Sequence, residues 1–198
     1  MLWWLKNSFV YDFLGKRSYS QGGEDMILRQ LVDDKSVGFY VDVGAFHPKV
    51  FSNTYYFYKK GWRGINVEPN KKMWRLFEAS RKRDVSLNLG VGRKEEKRRY
   101  LSCGEPAVNK FDKRGKNKVS LWPLGKILEK YLPVDQEIDF LSVDVEGMEI
   151  EVLKSNDWSR FRPRFLIIEK RKGVRSLVFD KGYKLVGMTG LSLIFRRG

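Results

Sequence analysis

The stretch GFYVDVGAFHPKVFSNTYYF, residues 38–57, decides the fold. Phe39, Tyr40 and Val41 are β-prone, and the run ends on Asp42 and Gly44, which predicts a buried strand leading into a tight turn. A loop that cradles a pyrophosphate would continue with more glycines and free N–H groups. Here Ala45, Phe46, His47 and Pro48 follow, and proline has no N–H to give. Ser52 is then a predicted N-cap for a helix running through Lys60 and stopped by Gly61.

The same alternation continues outward from this stretch. A helix is predicted from Gly23 to about Asp33, with Met26, Ile27, Leu31 and Val32 apolar. GINVEP (64–69) reads as a strand closed by Pro69, and Asn70 as the cap of a helix carrying Met73, Trp74, Leu76 and Phe77. VSLNLGV (85–91) reads as a third strand. LWPLGKILEKYL (121–132) is a predicted helix with Pro123 in its first turn. IDFLSVDVEG (138–147) is a strand, GMEIEVLKS (147–155) opens the helix after it, and RFLIIEK (164–170) is another strand. GVRSLVFDKG (173–182) is a helix, and the segments around Thr189 and Gly190 form a terminal hairpin. Strands alternating with helices predict an α/β fold: a mostly parallel sheet covered on both faces, with a C-terminal antiparallel hairpin.

The 198 residues suit one domain with a sizeable core. Two segments stand apart. Residues 1–17 place Leu2, Leu5, Phe9 and Phe13 on one helical stripe widened by Trp3, Val10 and Leu14, so they form an N-terminal amphipathic segment ahead of a domain spanning 18–198. That stripe docks on its own domain or acts as an interfacial membrane or partner helix. Residues 93–118 hold ten Lys or Arg against four Asp or Glu, and read as a long polar loop or irregular hairpin, a solvated face or a substrate-gripping lid. The chain carries 39 Lys+Arg against 24 Asp+Glu, a formal +15, which favours anionic partners such as nucleic acid, acidic lipid or charged glycan. One cysteine excludes an internal disulfide, and one cysteine with one histidine nearly excludes a Cys/His zinc site. No apolar run approaches the ~18 residues of a membrane span. The N-terminus lacks the long apolar region and cleavage site of a signal peptide, so the expectation is a reducing, cytoplasmic setting, with membrane association through the first segment as the variant.

In parallel sheets, ligands lie beyond the carboxyl ends of the strands where strand order reverses. The first strand brings Asp42 and Gly44 there, and the second brings Glu68, an acceptor suited to both ribose hydroxyls of an adenosine cofactor. With no glycine-rich loop for a pyrophosphate, S-adenosylmethionine fits this edge better than a dinucleotide. The fourth strand ends in Asp144 and Glu146, which share a side if the strand continues that far. The fifth ends in Glu169. Glu149 and Glu151 have an ordinary role at a helix start.

Taken together, YSQGGEDMIL (19–28), GFYVDVGAFHPKVFSNTYYFYKKGWRGINVEPN (38–70), LNLGVG (87–92), IDFLSVDVEGMEIEVLK (138–154) and RPRFLIIE (162–169) resemble the FkbM family of S-adenosylmethionine-dependent methyltransferases. The resemblance implies a Rossmann-like class I methyltransferase fold and O-methylation of a sugar, glycan or secondary-metabolite hydroxyl. It implies that Asp42, Gly44 and Ala45 line the cofactor's methionine and ribose, that Glu68 takes the ribose diol, and that Asn88 lies near the adenine. It further implies that Ser52, Asn53 and Thr54 orient cofactor or acceptor, and that Gln21, Glu24 and Asp25 lie over the cofactor. The paired tryptophans of the first segment and the charge of 93–118 depart from the family pattern, which leaves the acceptor least defined.

Methyl transfer to oxygen needs positioning and removal of a proton. Two designs stay open. In one, Asp144 or His47 is the general base, with Glu146 beside it. In the other, Asp144 and Glu169 hold magnesium or manganese, an arrangement resembling catechol-type O-methyltransferases. Two competing functions remain. One is an RNA ribose 2′-O-methyltransferase, with nucleic acid the less favoured partner because Asn/Asp-Pro-Pro-Tyr/Phe and Pro-Cys motifs are lacking. The other is a non-catalytic cofactor-binding or membrane-recruited module.

Overall fold

The computed structural model describes residues 18–32, 35–101 and 110–198. The amphipathic segment 1–17 and the middle of the basic stretch, with Cys103, lie outside the described residues. In chain order the elements are α1 (Glu24–Leu31), β1 (Phe39–Val43), α2 (Tyr55–Lys59), β2 (Arg63–Val67), α3 (Lys71–Ser80), β3 (Val85–Leu87), β4 (Gly90–Val91), β5 (Glu96–Leu101), β6 (Lys110–Phe111), β7 (Asn117–Trp122), α4 (Leu124–Tyr131), β8 (Phe140–Val143), α5 (Glu149–Lys154), β9 (Phe165–Glu169), α6 (Val174–Phe179), β10 (Tyr183–Met188) and β11 (Ser192–Arg197).

The main sheet has the order β10-β11-β9-β8-β1-β2-β3. β3, β2, β1, β8 and β9 are parallel, and β11 pairs antiparallel with both β9 and β10. Strand order reverses between β1 and β8, where Asp42 lies opposite Ser142 and, on the other side, Asn66. β1 and β8 are buried throughout because helices cover both faces, which is why they read as continuous apolar runs rather than alternating ones. On one face Leu28 of α1 and Phe57 of α2 pack with Trp62, Tyr40 and Phe140. On the other, Leu124 of α4, Val152 of α5 and Val174 of α6 pack on Val41, Leu141 and Ile168. Burying each large side chain of this kind contributes roughly 1.5–3 kcal/mol. Among the described residues, no helix is long and apolar enough to cross a membrane.

Several boundaries differ from expectation for identifiable reasons. α2 begins at Tyr55, because the Ser52 hydroxyl accepts from the Thr54 and Tyr55 N–H groups and holds a turn ahead of the helix. The expected third strand is split: Val85–Leu87 joins the main sheet and Gly90–Val91 joins a second one. That second sheet, β4-β7-β5-β6, is built largely from the stretch expected as a polar loop or irregular hairpin, with β5 and β7 antiparallel, and Leu121–Trp122 end its strand β7 instead of starting a helix. β8 stops at Val143, so Asp144 and Glu146 do not share a strand face. Glu146 has a φ of 52°, which turns the chain towards α5.

Candidate active site

A cleft of about 1060 Å³, including its solvent-filled mouth, opens at the carboxyl ends of β1, β2 and β8. Gln21, Asp42, Gly44, Ala45, Asn53 and Glu68 line it, with Asp144 and Glu146 on the β8 side. These eight residues, singled out from scattered sequence positions, are brought to one cavity by the parallel register of β1, β2 and β8.

Gly44 makes the close approach possible. Its φ is +80°, and a Cβ there would lie 1.8 Å from the Asp144 carbonyl oxygen. Only a residue without a side chain lets the turns after β1 and β8 meet. Glu68 is 5% exposed, and each of its oxygens accepts one backbone N–H: Phe46 at 2.8 Å and Asn70 at 2.6 Å. Burial still pushes its carboxyl up to about 8, against those two bonds. Asp42 is 4% exposed and accepts from the Thr54 hydroxyl at 3.0 Å. Burial raises it to about 6, while Thr54 and the Arg81 guanidinium pull it down.

Asp144 lines the cavity with its carboxyl open to solvent at the mouth. The protein atoms gathered around it, followed by the charges of Glu146, Glu149, Asp42 and Glu24, raise it to about 7. Behind it, ligand atoms of Asp144, Glu149 and Glu169 lie within 4.8 Å of one another. Glu149 is committed: its Oε1 accepts from the Val145 and Gly147 N–H groups. Arg171 lies 2.8 Å from Glu169, 3.5 Å from Glu149 and 3.8 Å from Glu146. Burial, Asp144 and Glu149 push Glu169 up to about 8. One Glu169 oxygen is buried with no hydrogen-bond partner among the described residues. The three carboxylates are close enough to take a magnesium or manganese ion, with the Arg171 guanidinium competing for Glu169 and Glu149.

Other expected residues stand behind the cavity or away from it. Ser52 and Thr54 are buried beneath it, bonded to Arg81, and Thr54 passes that support to Asp42. Asn53 lines the cavity and donates to the Ser142 hydroxyl at 3.0 Å. Asp25 is turned into the protein: it accepts from the Ser18 and Ser20 hydroxyls and pairs with Arg29. Its neighbour Glu24 lines the cavity, held by Thr189 and Ser192 of the terminal hairpin at 2.7 and 3.1 Å. Asn88 does not line the cavity. It donates to the carbonyls of Glu68 and Pro69 and pins the loop that carries Glu68. His47 is also outside the lining. Its Nδ1 accepts from the Lys49 and Val50 N–H groups, so the ring caps a turn. Burial and the nearby charges of Lys49 and Arg81 lower its proton affinity further.

Four contributors were not anticipated. Tyr100 of β5 and Phe111 of β6 line the cavity from the second sheet, their rings 5.1 Å apart. Phe111 reaches Gly90 so closely that a Cβ there would lie 2.5 Å from its ring. The alternation Glu96, Arg98, Tyr100 was the available signal, but charged residues at two inward positions hid it. Arg171 and Arg81 have near partners in Glu169 and Asp84, but the groups they hold at the site, Glu149 and the turn from Pro48 to Thr54, are distant in sequence and left no local signal.

The sheet order, the glycine turn and an acid closing β2 define a class I S-adenosylmethionine-dependent methyltransferase. Residues 42–185 match the methyltransferase FkbM domain. The chain belongs to the FkbM methyltransferase family. Among solved structures it is similar to the METTL16 methyltransferase domain, at 10% identity over 86% of this chain and 64% of that one, with a TM-score of 0.50. It is also similar to a TehB-like methyltransferase from Corynebacterium glutamicum, at 10% identity, 93% and 91% coverage and a TM-score of 0.46. A third is a putative O-methyltransferase from Klebsiella pneumoniae, at 12% identity, 89% and 80% coverage and a TM-score of 0.47. At such identities the likeness concerns the fold. No curated protein sequence matches the chain.

Proposed function

We propose that the protein transfers a methyl group to a hydroxyl of a sugar, glycan or secondary metabolite, with Asp144 as the general base. The observation that carries this reading is the position of Asp144, a solvent-open carboxylate on the cleft wall where the turn after β8 meets the Gly44 turn, with acidic neighbours that raise its proton affinity. A base with a proton affinity near the working pH is the effective kind. Bound S-adenosylmethionine supplies an activated methyl group. Glu68 is placed to accept both ribose hydroxyls, because each of its oxygens has already accepted one backbone donor and has a lone pair left. Asp42 and Gly44 support the ribose and methionine portions. Gln21, Glu24, Tyr100 and Phe111 close the cleft and hold the acceptor away from water. Asp144 would take the acceptor hydroxyl's proton, while the bound cofactor would supply the methyl group by loss of its sulfur–methyl bond and leave as the neutral thioether. Glu149, Glu169 and Arg171 hold the loop that presents it.

The test is a labelled-methyl transfer assay against glycan, lipid, small-metabolite and RNA fractions, with and without a chelator. Label in a base-stable ether of a glycan or metabolite, unchanged by the chelator, is the expected result. Label confined to RNA would replace the acceptor, and loss of transfer with chelator would return a metal to the mechanism.

A further inference from the structure

Away from the cleft, α2 and the chain around it present an ordered set of tyrosines and cations. Each of four tyrosines meets two cations. Tyr55 and Tyr58 have the buried Arg81 at 5.1 and 4.7 Å from their ring centres. Lys49 lies 6.0 Å from Tyr55, and Arg83 lies 3.9 Å from Tyr58. Tyr56 and Tyr19 meet Arg29 at 3.7 and 5.9 Å. Lys60 lies 5.8 Å from Tyr56, and Lys59 lies 5.5 Å from Tyr19. Tyr19 packs edge-on against Tyr55 at 4.8 Å, so the set is continuous. Arg29 and Arg81 are buried, whereas Lys49, Lys59, Lys60 and Arg83 are exposed. Among the described residues, Lys49, Lys60 and Arg83 have no carboxylate within ion-pair distance. Their charge is therefore not cancelled locally.

We propose that this tyrosine and cation face seats the protein on an anionic bilayer surface. Tyrosine favours the headgroup level of a bilayer, where an apolar ring and a polar hydroxyl are both satisfied. The charged heads of Lys49, Lys59, Lys60 and Arg83 lie over or beside these rings on exposed residues, so the cations and the rings meet a surface together. Stable attachment to a bilayer takes two signals, one apolar and one basic. The second is at hand in the sequence: residues 1–17 carry Leu2, Leu5, Phe9 and Phe13 at helical spacing, with Trp3 and Trp4 beside them. They join the described fold at Ser18, whose hydroxyl is fixed on Asp25 at 2.6 Å, one residue before Tyr19. A single-stranded nucleic acid is the less suitable partner, because rings already engaged by two cations each are poor platforms for stacking bases.

The test is sedimentation of the full chain with vesicles of phosphatidylcholine alone and of phosphatidylcholine mixed with phosphatidylserine. Binding to the mixed vesicles only, weakened by salt, is expected. Each surface cation is worth about a fivefold change in affinity, so Lys49→Gln, Lys59→Gln and Lys60→Gln together should weaken binding on the order of a hundredfold. S-adenosylhomocysteine affinity and melting temperature, measured on the same variant, should be unchanged and show that the fold is intact. If the triple variant unfolds, Lys60→Gln alone should give the roughly fivefold loss. Equal binding to both vesicles, no binding, or undiminished binding by the folded variant would overturn the proposal. So would salt-sensitive binding to an RNA homopolymer, abolished in the variant, with no vesicle binding. None of these readouts depends on the methyl acceptor.

Discussion

Asp144 and Glu68 perform different tasks at the same cleft, and single substitutions separate them. Asp144→Asn keeps the shape of the turn after β8 but removes the proton acceptor. Methyl transfer should fall by about 10²–10⁴-fold, with S-adenosylhomocysteine affinity nearly unchanged by calorimetry. In the wild-type protein, activity should climb with pH through about 7, because a base works when unprotonated. A pH profile flat across that range would remove Asp144 from the role. Glu68→Gln should act on binding instead: above about pH 8, where the wild-type carboxyl is ionised, losing hydrogen bonds to a charged acceptor costs about 1.5–3 kcal/mol, roughly ten- to a hundredfold in cofactor affinity. Gly44→Ala should lose both functions, since the added Cβ collides with the Asp144 carbonyl in a conformation that non-glycine residues rarely adopt.

At the scale of elements, the segment from Pro48 to Thr54 is held by one buried side chain. Arg81, 1% exposed at the end of α3, donates to the Pro48 carbonyl, the Ser52 and Thr54 hydroxyls and Tyr40, and lies 3.6 Å from Asp84. It connects α3 to the turn that carries Asn53 and supports Asp42. Arg81→Met should cost about 3–5 kcal/mol, because it leaves Asp84 and several acceptors buried without their partner. For a chain of this size that lowers the melting temperature by on the order of 10 °C, readable by calorimetry. A shift of a degree or less would show that the network contributes little. The second sheet belongs to the same scale. Its register places Tyr100 and Phe111 on the cleft while Lys97 and Arg99 stay exposed, so one ribbon closes the site and keeps a basic outer surface.

For the whole molecule, the cleft gathers carboxyls that folding makes harder to ionise. Glu68 rises from 4.5 to about 8, Asp144 from 3.8 to about 7 and Asp42 from 3.8 to about 6, each mainly through burial. A raised value means that the folded chain binds its proton more tightly than the unfolded one. This contribution to stability is therefore full below about pH 4 and is lost as pH rises towards 8. The +15 charge acts in the opposite direction at low pH, so the comparison must be internal. The stability of Glu68→Gln relative to wild type should increase as pH rises from 4.5 to about 8, as read by thermal melts without cofactor. A constant difference would show that Glu68 ionises normally.

The parallel strands of the main sheet are legible in the sequence, because a strand buried on both faces must be apolar along its length and a terminal acid then stands out; the strands of the second sheet, with charges at alternate positions, are not. Asp42, Glu68 and Asp144 were legible for that reason, as was Gly44, whose turn admits no side chain. Tertiary structure alone decided which polar residues reach the cleft. Asp25 and Glu24 are adjacent in sequence, yet helix geometry sends one inward to Arg29 and the other to the cavity. His47, chemically the obvious base, is claimed by two backbone N–H groups. Glu149 and Arg171, ordinary charges in the sequence, become the frame around Asp144 because α5 and the end of β9 pack together. Hydrophobic pattern is a local property and can be read locally. Which charges meet at the cleft is set by the packing of distant segments, as with Arg171 and Glu149, and no local pattern encodes it.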